Sequence, residues 1–315
     1  MSEDLRSETE ENGKLLTAMF AELGSAKHVT FGVSANGDDD PSATTKLRTG
    51  TEQVVSYIDS QTDILLDVSS MPRVVYIALL TNILQKLVAD RGASNPLSCD
   101  GVNFQVLVAE DATLDAAIRS EDPSNDLVVI PGFSAALHAE SVQDWPLVWF
   151  PVLGENKLGQ LQKVMDTAIP RSAEICPVLP HPSQDLRRAE RLLIEYRHAL
   201  IDARGTPTAN ILLAHESNPF EAYRQLLKAM NRYQNSMRMM GGCRLVVTPL
   251  ASKLITLGIS LACYEMRTED LTTGYGVAIP YAEPTRYNVR VPALRESRSE
   301  ICAMLLTGEA YEQPD

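Results

Sequence analysis

Short apolar runs recur along this chain, and most of them are followed by a polar loop and then an amphipathic helix. Such runs lie at 64–68, 146–153 and 175–179, and they are continuous rather than alternating. Continuous apolar runs are typical of strands that are covered on both faces. Their alternation with helices favours βαβ units. The sequence therefore predicts an α/β fold with a layered, mainly parallel sheet built from Rossmann-like βαβ units.

The eight or nine predicted strands fit either one continuous sheet or two Rossmann-like halves. We expect two halves, an N-terminal one over 13–143 and a C-terminal one over 144–315, after a flexible acidic tail over 1–12. A first helix is expected over 13–23. A (β/α)8 barrel is the alternative, and the uneven spacing of the units disfavours it. The predicted strands lie at 28–33, 64–68, 104–108, 127–130, 146–153, 175–179, 211–214, 245–247 and 277–279.

The charge of the chain limits its partners. Its 315 residues carry a formal net charge of −13, from 28 Lys and Arg against 41 Asp and Glu. An acidic surface supports solubility and repels a phosphate backbone, so binding to nucleic acid is not expected. The five cysteines form no CxxC pair, which is typical of reduced thiols. With no long apolar run and no signal peptide, we expect a cytoplasmic protein without a membrane segment.

Ligands of open parallel sheets bind beyond the carboxyl ends of the strands, so the loops that follow the strands are the place to look for a site. The first such loop holds Asp67, Ser69, Ser70 and Arg73. Capping of the next helix explains Ser70, but it does not require an acid at the strand end or an arginine. The loop is therefore predicted to bind a polar ligand.

His215 and Glu216 follow the strand predicted at 211–214. The next residues, Asn218 and Glu221, resemble a capping box, which explains them but leaves the His–Glu pair unexplained. An imidazole titrates near neutral pH and a carboxylate can exchange protons, so the pair suits general acid–base catalysis. These two residues are the predicted catalytic pair, although neighbours in an extended chain point to opposite faces.

Ser252 and Lys253 begin a helix after the strand predicted at 245–247. A lysine in the first turn opposes the helix dipole by up to about 1 kcal/mol. Its position becomes favourable when an anion lies over the helix N-terminus. Both residues are therefore predicted to contact an anionic ligand, and the alternative is a solvated lysine.

Glu283 and Arg286 lie in the polar and aromatic segment 281–288, after the last predicted strand. Arginine binds phosphate or carboxylate through two parallel hydrogen bonds, and the tyrosines of the segment suit a planar ring. Both residues are predicted to contact a ligand, and an internal Glu–Arg ion pair is the alternative. The loop 154–157 is a weaker candidate, because helix capping explains it.

Familiar catalytic motifs are absent from the sequence. It contains no GxGxxG that opens a helix, no GxxxxGK[ST], no GxSxG and no HExxH. The acidic stretch 36–40 lacks the spacing of an EF-hand and is typical of a solvated turn. The sequence therefore predicts no metal site, and it does not define a cofactor.

Four segments carry a resemblance to known proteins: 66–73, 218–220, 249–254 and 281–287. Together they resemble a poorly characterised family of bacterial two-domain α/β proteins that is linked to multi-gene defence or stress loci. The resemblance covers about a third of the chain. It implies a nucleotide-related or complex-forming role, and it assigns no catalytic residue.

Three functions follow, in order of preference. The first is binding of a nucleotide or another phosphorylated small molecule at the strand ends, as a sensor or a component of a bacterial defence or stress system. Arg73, Lys253 and Arg286 would neutralise the anion, while Asp67 and Glu283 would bind hydroxyl groups. The second is hydrolysis of a nucleotide glycosidic or phosphate-ester bond by the predicted catalytic pair. The third is a non-catalytic scaffold that binds a partner protein or a second copy of the chain.

Overall fold

The computed structural model describes residues 3–31, 42–90, 97–124, 126–138, 140–267, 276–289 and 291–312. The acidic stretch 36–40 lies outside these ranges, as does part of the strand predicted at 28–33, and residues 28–31 form neither helix nor strand. Every other predicted strand overlaps a strand of the structure. The chain is therefore an α/β protein, as predicted.

The first part of the chain begins with a long helix. That helix starts at Glu3 rather than at residue 13, so most of the predicted tail is helical. Its glutamates favour a helix, and acidic residues are stabilised near a helix N-terminus. The elements of this part are α1 (Glu3–Leu23), α2 (Ala43–Val55), β1 (Asp63–Asp67), α3 (Arg73–Asp90), β2 (Asn103–Glu110), α4 (Ala112–Ala117), β3 (Arg119–Pro123), β4 (Val128–Val129) and α5 (Ala135–His138).

The second part alternates strands and helices more regularly. None of the described helices is both long and apolar enough to cross a membrane. The elements of this part are β5 (Leu147–Val152), α6 (Leu158–Ala168), β6 (Glu174–Ile175), β7 (Val178–Pro180), α7 (Arg188–Arg197), β8 (Leu212–Ala214), α8 (Pro219–Met237), β9 (Arg244–Pro249), α9 (Lys253–Glu265), β10 (Val277–Ala278), β11 (Pro280–Tyr281), β12 (Pro284–Asn288), α10 (Val291–Glu296) and β13 (Glu300–Thr307).

Six parallel strands form what we call the large sheet. Five of them stand in the order β10, β9, β5, β7, β8, and β6 pairs with β5. The first of these strands along the chain, β5, therefore lies in the middle. Every residue of β5 is buried, as its continuous apolar run predicts for a strand covered on both faces. The prediction of a parallel sheet is therefore confirmed.

A second sheet, which we call the small sheet, consists of β1, β2 and β13. β1 runs parallel to β2, whereas β13 runs antiparallel to it. Two further antiparallel pairs join β4 with β11 and β3 with β12. In all three antiparallel pairs, one strand comes from the predicted N-terminal half and the other from the predicted C-terminal half. The boundary expected near residue 143 therefore does not separate the sheets.

The helix α9 links the two sheets. Its residues are buried around almost the whole circumference, and a helix of this kind lies in the interior of a protein. It packs against α8 and α3, and it contacts β9 of the large sheet and β2 of the small sheet. A Cβ atom at Gly258 would lie 2.0 Å from the carbonyl oxygen of Pro219, so glycine permits the close approach of α8.

The cysteines are part of the hydrophobic core. All five are free thiols, and Cys176, Cys243 and Cys263 are buried in the core. Burial raises the pKa of Cys176 to about 11 and that of Cys243 to about 12. The thiolate is the reactive form of cysteine, so these side chains are unreactive at neutral pH.

Candidate ligand-binding site

A cavity of about 270 Å³ lies at the carboxyl ends of β1, β5 and β9. Its walls include parts of the loops that follow these strands, at 70–73, 154–157 and 250–253. β5 has β7 on one side and β9 on the other, and ligands of open parallel sheets bind beside the strand where the order reverses. We call this space the strand-end cavity. Its position is the one in which parallel sheets usually hold a ligand.

Cationic side chains outnumber carboxylates around the strand-end cavity, by four to two among the described residues. Glu155 binds the guanidinium of Arg188 through two hydrogen bonds of 2.6 and 2.7 Å, and Glu216 pairs with the same guanidinium, so the charge of Arg188 is compensated within the protein. Arg73, Lys157 and Lys253 then face a single carboxylate of the cavity wall. A positive region in a chain of net charge −13 attracts anions locally.

Arg73 starts α3, and neutral groups hold its guanidinium. Nη1 donates to the hydroxyl of Tyr281 at 3.2 Å, and Nη2 donates to the carbonyl oxygen of Ala251. The guanidinium carbon lies 5.6 Å from the centroid of the Tyr281 ring, within the range of a cation–π contact. Nε is buried and has no hydrogen-bond partner within the described residues. Arg73 also interacts with the side chain of Tyr76, and its Nε–H is the donor without a hydrogen bond of normal geometry.

Two hydroxyl groups of the cavity wall are also buried and make no hydrogen bond of normal geometry in the described part of the chain, although one lies near Arg73 and Thr256 and the other near the carboxylate of Glu110. They belong to Tyr76, which is 1% exposed, and to Ser252, which is 4% exposed. Leaving a buried polar group unpaired costs about 1–3 kcal/mol. Hydrogen bonds to a ligand would remove this cost. The wall of the cavity therefore contains buried donors that lack a hydrogen bond of normal geometry.

Lys157 directly precedes α6, and its side chain lines the cavity. Nζ donates to the hydroxyl of Ser120 and lies 6.0 Å from the centroid of the Tyr287 ring. Among the side chains that the structure describes, no carboxylate forms an ion pair with it. Burial and then the positive charge of Arg73 lower the pKa of Lys157 to about 8. A substantial fraction of this amine is therefore neutral in mildly alkaline solution.

Contacts on both sides fix the loop that presents Lys157. The hydroxyl of Tyr196 donates to the carbonyl oxygen of Gly154 at 2.6 Å and accepts from the backbone N–H of Lys157 at 3.2 Å. A Cβ atom at Gly154 would lie 2.3 Å from the carbonyl oxygen of Leu250, so the loops after β5 and β9 touch through their backbones. The two loops therefore hold the cavity wall in one arrangement.

A protein carboxylate already occupies the N-terminus of α9. Glu110, at the end of β2, accepts a hydrogen bond at 3.0 Å from the backbone N–H of Leu254. Burial raises the pKa of Glu110. The negative charge beside Lys253, which we predicted to belong to a ligand, is therefore supplied at least in part by the protein. Ser252 and Lys253 nevertheless line the strand-end cavity.

Asp67 and Ser69 form a local turn rather than part of the cavity wall. Asp67 accepts hydrogen bonds from the backbone N–H of Ser69 at 2.9 Å and from its hydroxyl at 2.5 Å. The same hydroxyl accepts from the backbone N–H of Ala109 at 2.8 Å, which ties this turn to β2. Of the four residues predicted in this loop, the structure brings Ser70 and Arg73 to the cavity.

The predicted catalytic pair lies elsewhere. Glu216 is 6% exposed, forms an ion pair with Arg188, and accepts from the backbone N–H of Gln184 at 2.8 Å. It borders a separate, mainly acidic cavity of about 340 Å³. His215 accepts at Nδ1 from the backbone N–H of Ser217 at 3.2 Å. Both residues therefore form hydrogen bonds or ion pairs within the protein. The spacing of residues along the sequence did not reveal these contacts.

Glu283 and Arg286 follow β11, beside the strand-end cavity. Glu283 is 8% exposed, and one of its carboxyl oxygens has no hydrogen-bond partner among the described residues. Burial raises the pKa of Glu283 to about 7, against the opposing effect of the positive charge of Arg73. The backbone of Arg286 pairs with that of Glu121 in β3. The side chain of Arg286 lies outside the described structure.

Several residues that line the cavity were not among the predicted site residues. For some of them, the position in the sequence could have indicated a place in the cavity wall. Tyr76 follows Arg73 by three residues in a helix, a spacing that places both on one face. Lys157 follows a buried strand, and we set its loop aside because capping explained it. In the structure, the side chain of Lys157 makes no capping hydrogen bond. Arg188 gave no such signal, because its partners are distant in the sequence.

Comparison with known proteins assigns the chain to no family, so its description rests on its fold and its candidate site. No family model matches the chain, and no curated protein matches it significantly. Among the described residues, no three His, Cys, Asp or Glu side chains are placed to hold a metal ion. The chain is thus an α/β protein with a six-stranded parallel sheet and a cationic cavity at the strand ends.

Proposed function

We propose that this protein binds a phosphorylated small molecule, with a nucleotide as the leading class, in the strand-end cavity. One observation carries the proposal. The buried donors of Arg73, Tyr76 and Ser252 make no hydrogen bond of normal geometry within the described chain, although Arg73 and Tyr76 interact with each other and Ser252 interacts with Glu110. All three residues line one cavity with an excess of positive charge. Phosphate oxygens accept hydrogen bonds from guanidinium and hydroxyl groups, so a phosphate satisfies the donors and the charge together.

The position and the size of the cavity support the same proposal. In a Rossmann-like sheet, the phosphates of a nucleotide lie at the strand ends beside the strand where the order reverses, which is the position of β5 here. The volume of about 270 Å³ is just below the usual range for ligand sites, roughly 300–1,000 Å³. It favours a mononucleotide or a sugar phosphate over a dinucleotide.

Isothermal titration calorimetry tests the proposal with inorganic phosphate, ribose 5-phosphate, AMP and adenosine. We expect the phosphate esters to bind and adenosine to bind at least tenfold more weakly, because it lacks the anion. Lys253→Met should weaken binding of the esters about tenfold or more, since a charge-assisted hydrogen bond contributes about 1.5–3 kcal/mol. Tighter binding of AMP than of ribose 5-phosphate would identify the nucleotide class.

Lys228→Met is the matched control, because Lys228 is exposed on α8 and is not among the residues that line the cavity. It should leave the affinity for the esters unchanged, and circular dichroism should show both variants folded. Equal affinity for AMP and adenosine, or an unchanged affinity in Lys253→Met, would refute phosphate binding at this site. The ion pair of Glu216 does not favour the hydrolase alternative, and chromatography of the same mixtures checks for products directly.

A further inference from the structure

One lysine of the strand-end cavity differs from the other in its surroundings. Lys253 lies near the carboxylate of Glu110. Lys157 donates to the neutral hydroxyl of Ser120 and lies near the guanidinium of Arg73, whose effect the carboxylates of Asp115, Glu155 and Glu195 oppose without outweighing it and burial together. Within the described chain it forms no ion pair. The charged surroundings of Lys157 therefore differ from those of Lys253.

A lysine acts as a nucleophile only when its amine is neutral. Burial and a neighbouring cation are the two conditions that produce a neutral amine in proteins, and Lys157 meets both. Its loop is held by Tyr196 and by the contact of Gly154 with the loop after β9. The amine is therefore presented to the cavity from a fixed backbone, beside the groups that suit a phosphate.

We infer that Lys157 forms an imine with the carbonyl group of a phosphorylated aldehyde or ketone bound in the strand-end cavity. The inference rests on the proposed function, because Arg73 and Lys253 would hold the phosphate while Nζ reaches the carbonyl carbon. The lone pair of Nζ attacks this carbon and forms a carbinolamine. Loss of water then gives the C=N bond, and the two hydrogens of the amine leave with the carbonyl oxygen. The step needs no oxidant or reductant.

Pyridoxal 5′-phosphate is a suitable probe, because it is a phosphorylated aldehyde. The full-length protein is mixed with an equimolar amount of the probe, reduced with sodium borohydride, and analysed by intact mass and peptide mapping. We expect one reduced adduct per chain, located on Lys157. Lys157→Arg should lose this adduct, whereas Lys228→Arg should keep it. Pyridoxal, which lacks the phosphate, should label Lys157 at least tenfold less.

Three results would overturn the inference. They are an adduct spread evenly over several lysines, an adduct that persists at the same stoichiometry in Lys157→Arg, and equal labelling of Lys157 by pyridoxal. Mapping of the wild-type adduct needs no variant, so a folding defect of Lys157→Arg does not affect that result. Binding of the phosphate esters in calorimetry without an adduct on Lys157 refutes the imine alone. Absence of both refutes the imine together with the proposed function.

Discussion

Glu283 illustrates how burial at the cavity affects a single residue. Its carboxyl group is 8% exposed, and burial raises its pKa from about 4.5 to about 7. Arg73 offsets part of this effect through its positive charge. A carboxyl group of this kind carries a proton in the folded state at a pH where the unfolded chain has already released it. The stability of the protein is therefore linked to the titration of this one residue.

The pH dependence of unfolding tests this linkage. Between pH 4.5 and 7 the folded protein binds more protons at Glu283 than the unfolded chain does, so the free energy of unfolding should fall as the pH rises. The change is at most about 3 kcal/mol, since one pKa unit corresponds to about 1.4 kcal/mol. In Glu283→Gln this part of the decrease should disappear when urea unfolding is measured across the range. Glu190→Gln, at an exposed position, should retain the wild-type profile. Parallel profiles for all three proteins would contradict the buried titration.

The presence of Arg73 and Lys253 at one cavity could be anticipated from the sequence, because both follow strands and ligands of parallel sheets bind beyond the strand ends. That their strands, β1 and β9, belong to different sheets and that Glu283 follows an antiparallel strand could not. The ion pair of Glu216 could not be anticipated from the sequence. Its partner Arg188 lies 28 residues earlier, in a helix whose pattern gives no sign of a buried charge. Pairing of side chains depends on distances in the folded molecule, and spacing along the chain does not contain them.

At the scale of elements, the contact between α8 and α9 depends on Gly258. A Cβ atom there would lie 2.0 Å from a backbone oxygen, so Gly258→Ala forces the helices apart. Overpacking of this kind costs about 1–3 kcal/mol, which exceeds the gain of about 1 kcal/mol in helix propensity. We expect a net loss of stability in urea unfolding.

Gly159→Ala in α6 is the control for this prediction. The nearest atom to a Cβ at Gly159 is 3.8 Å away, which is an ordinary van der Waals distance. The free energy of unfolding should therefore stay the same or rise by up to about 1 kcal/mol. If Gly258→Ala is as stable as Gly159→Ala, the close packing of α8 on α9 is not a determinant of stability.

Elements differ in how well the sequence reveals them. β5 and β9 are buried along nearly their whole length, and their continuous apolar runs identified them directly. β12 and β13 were not predicted. β12 is largely polar and has no continuous apolar run. β13 does contain one, at 301–306, and this signal was missed. Their partners β3 and β2 lie far earlier in the chain, and local sequence does not record such pairings.

At the scale of the whole molecule, the last strand belongs to a sheet that begins more than two hundred residues earlier. β13 pairs with β2 along most of its length, and Met304, which is 4% exposed, packs in the common core. The same small sheet contacts the large sheet through α9. This arrangement joins β13 to the small sheet and, through α9, to the large sheet. It predicts that a defect in β13 destabilises the whole protein.

Met304→Ala tests this prediction, because the two tryptophans, Trp145 and Trp149, lie just before and within β5 of the large sheet. Removing a buried methionine side chain costs about 2–5 kcal/mol. Tryptophan fluorescence and far-ultraviolet circular dichroism should both show that loss in one urea transition, because α9 packs against both sheets. Ile301→Ala in the same strand should change stability by less than about 0.5 kcal/mol, since Ile301 is 73% exposed. A fluorescence transition that does not move, while circular dichroism shows an earlier partial loss, would mean that the small sheet unfolds independently of the large one.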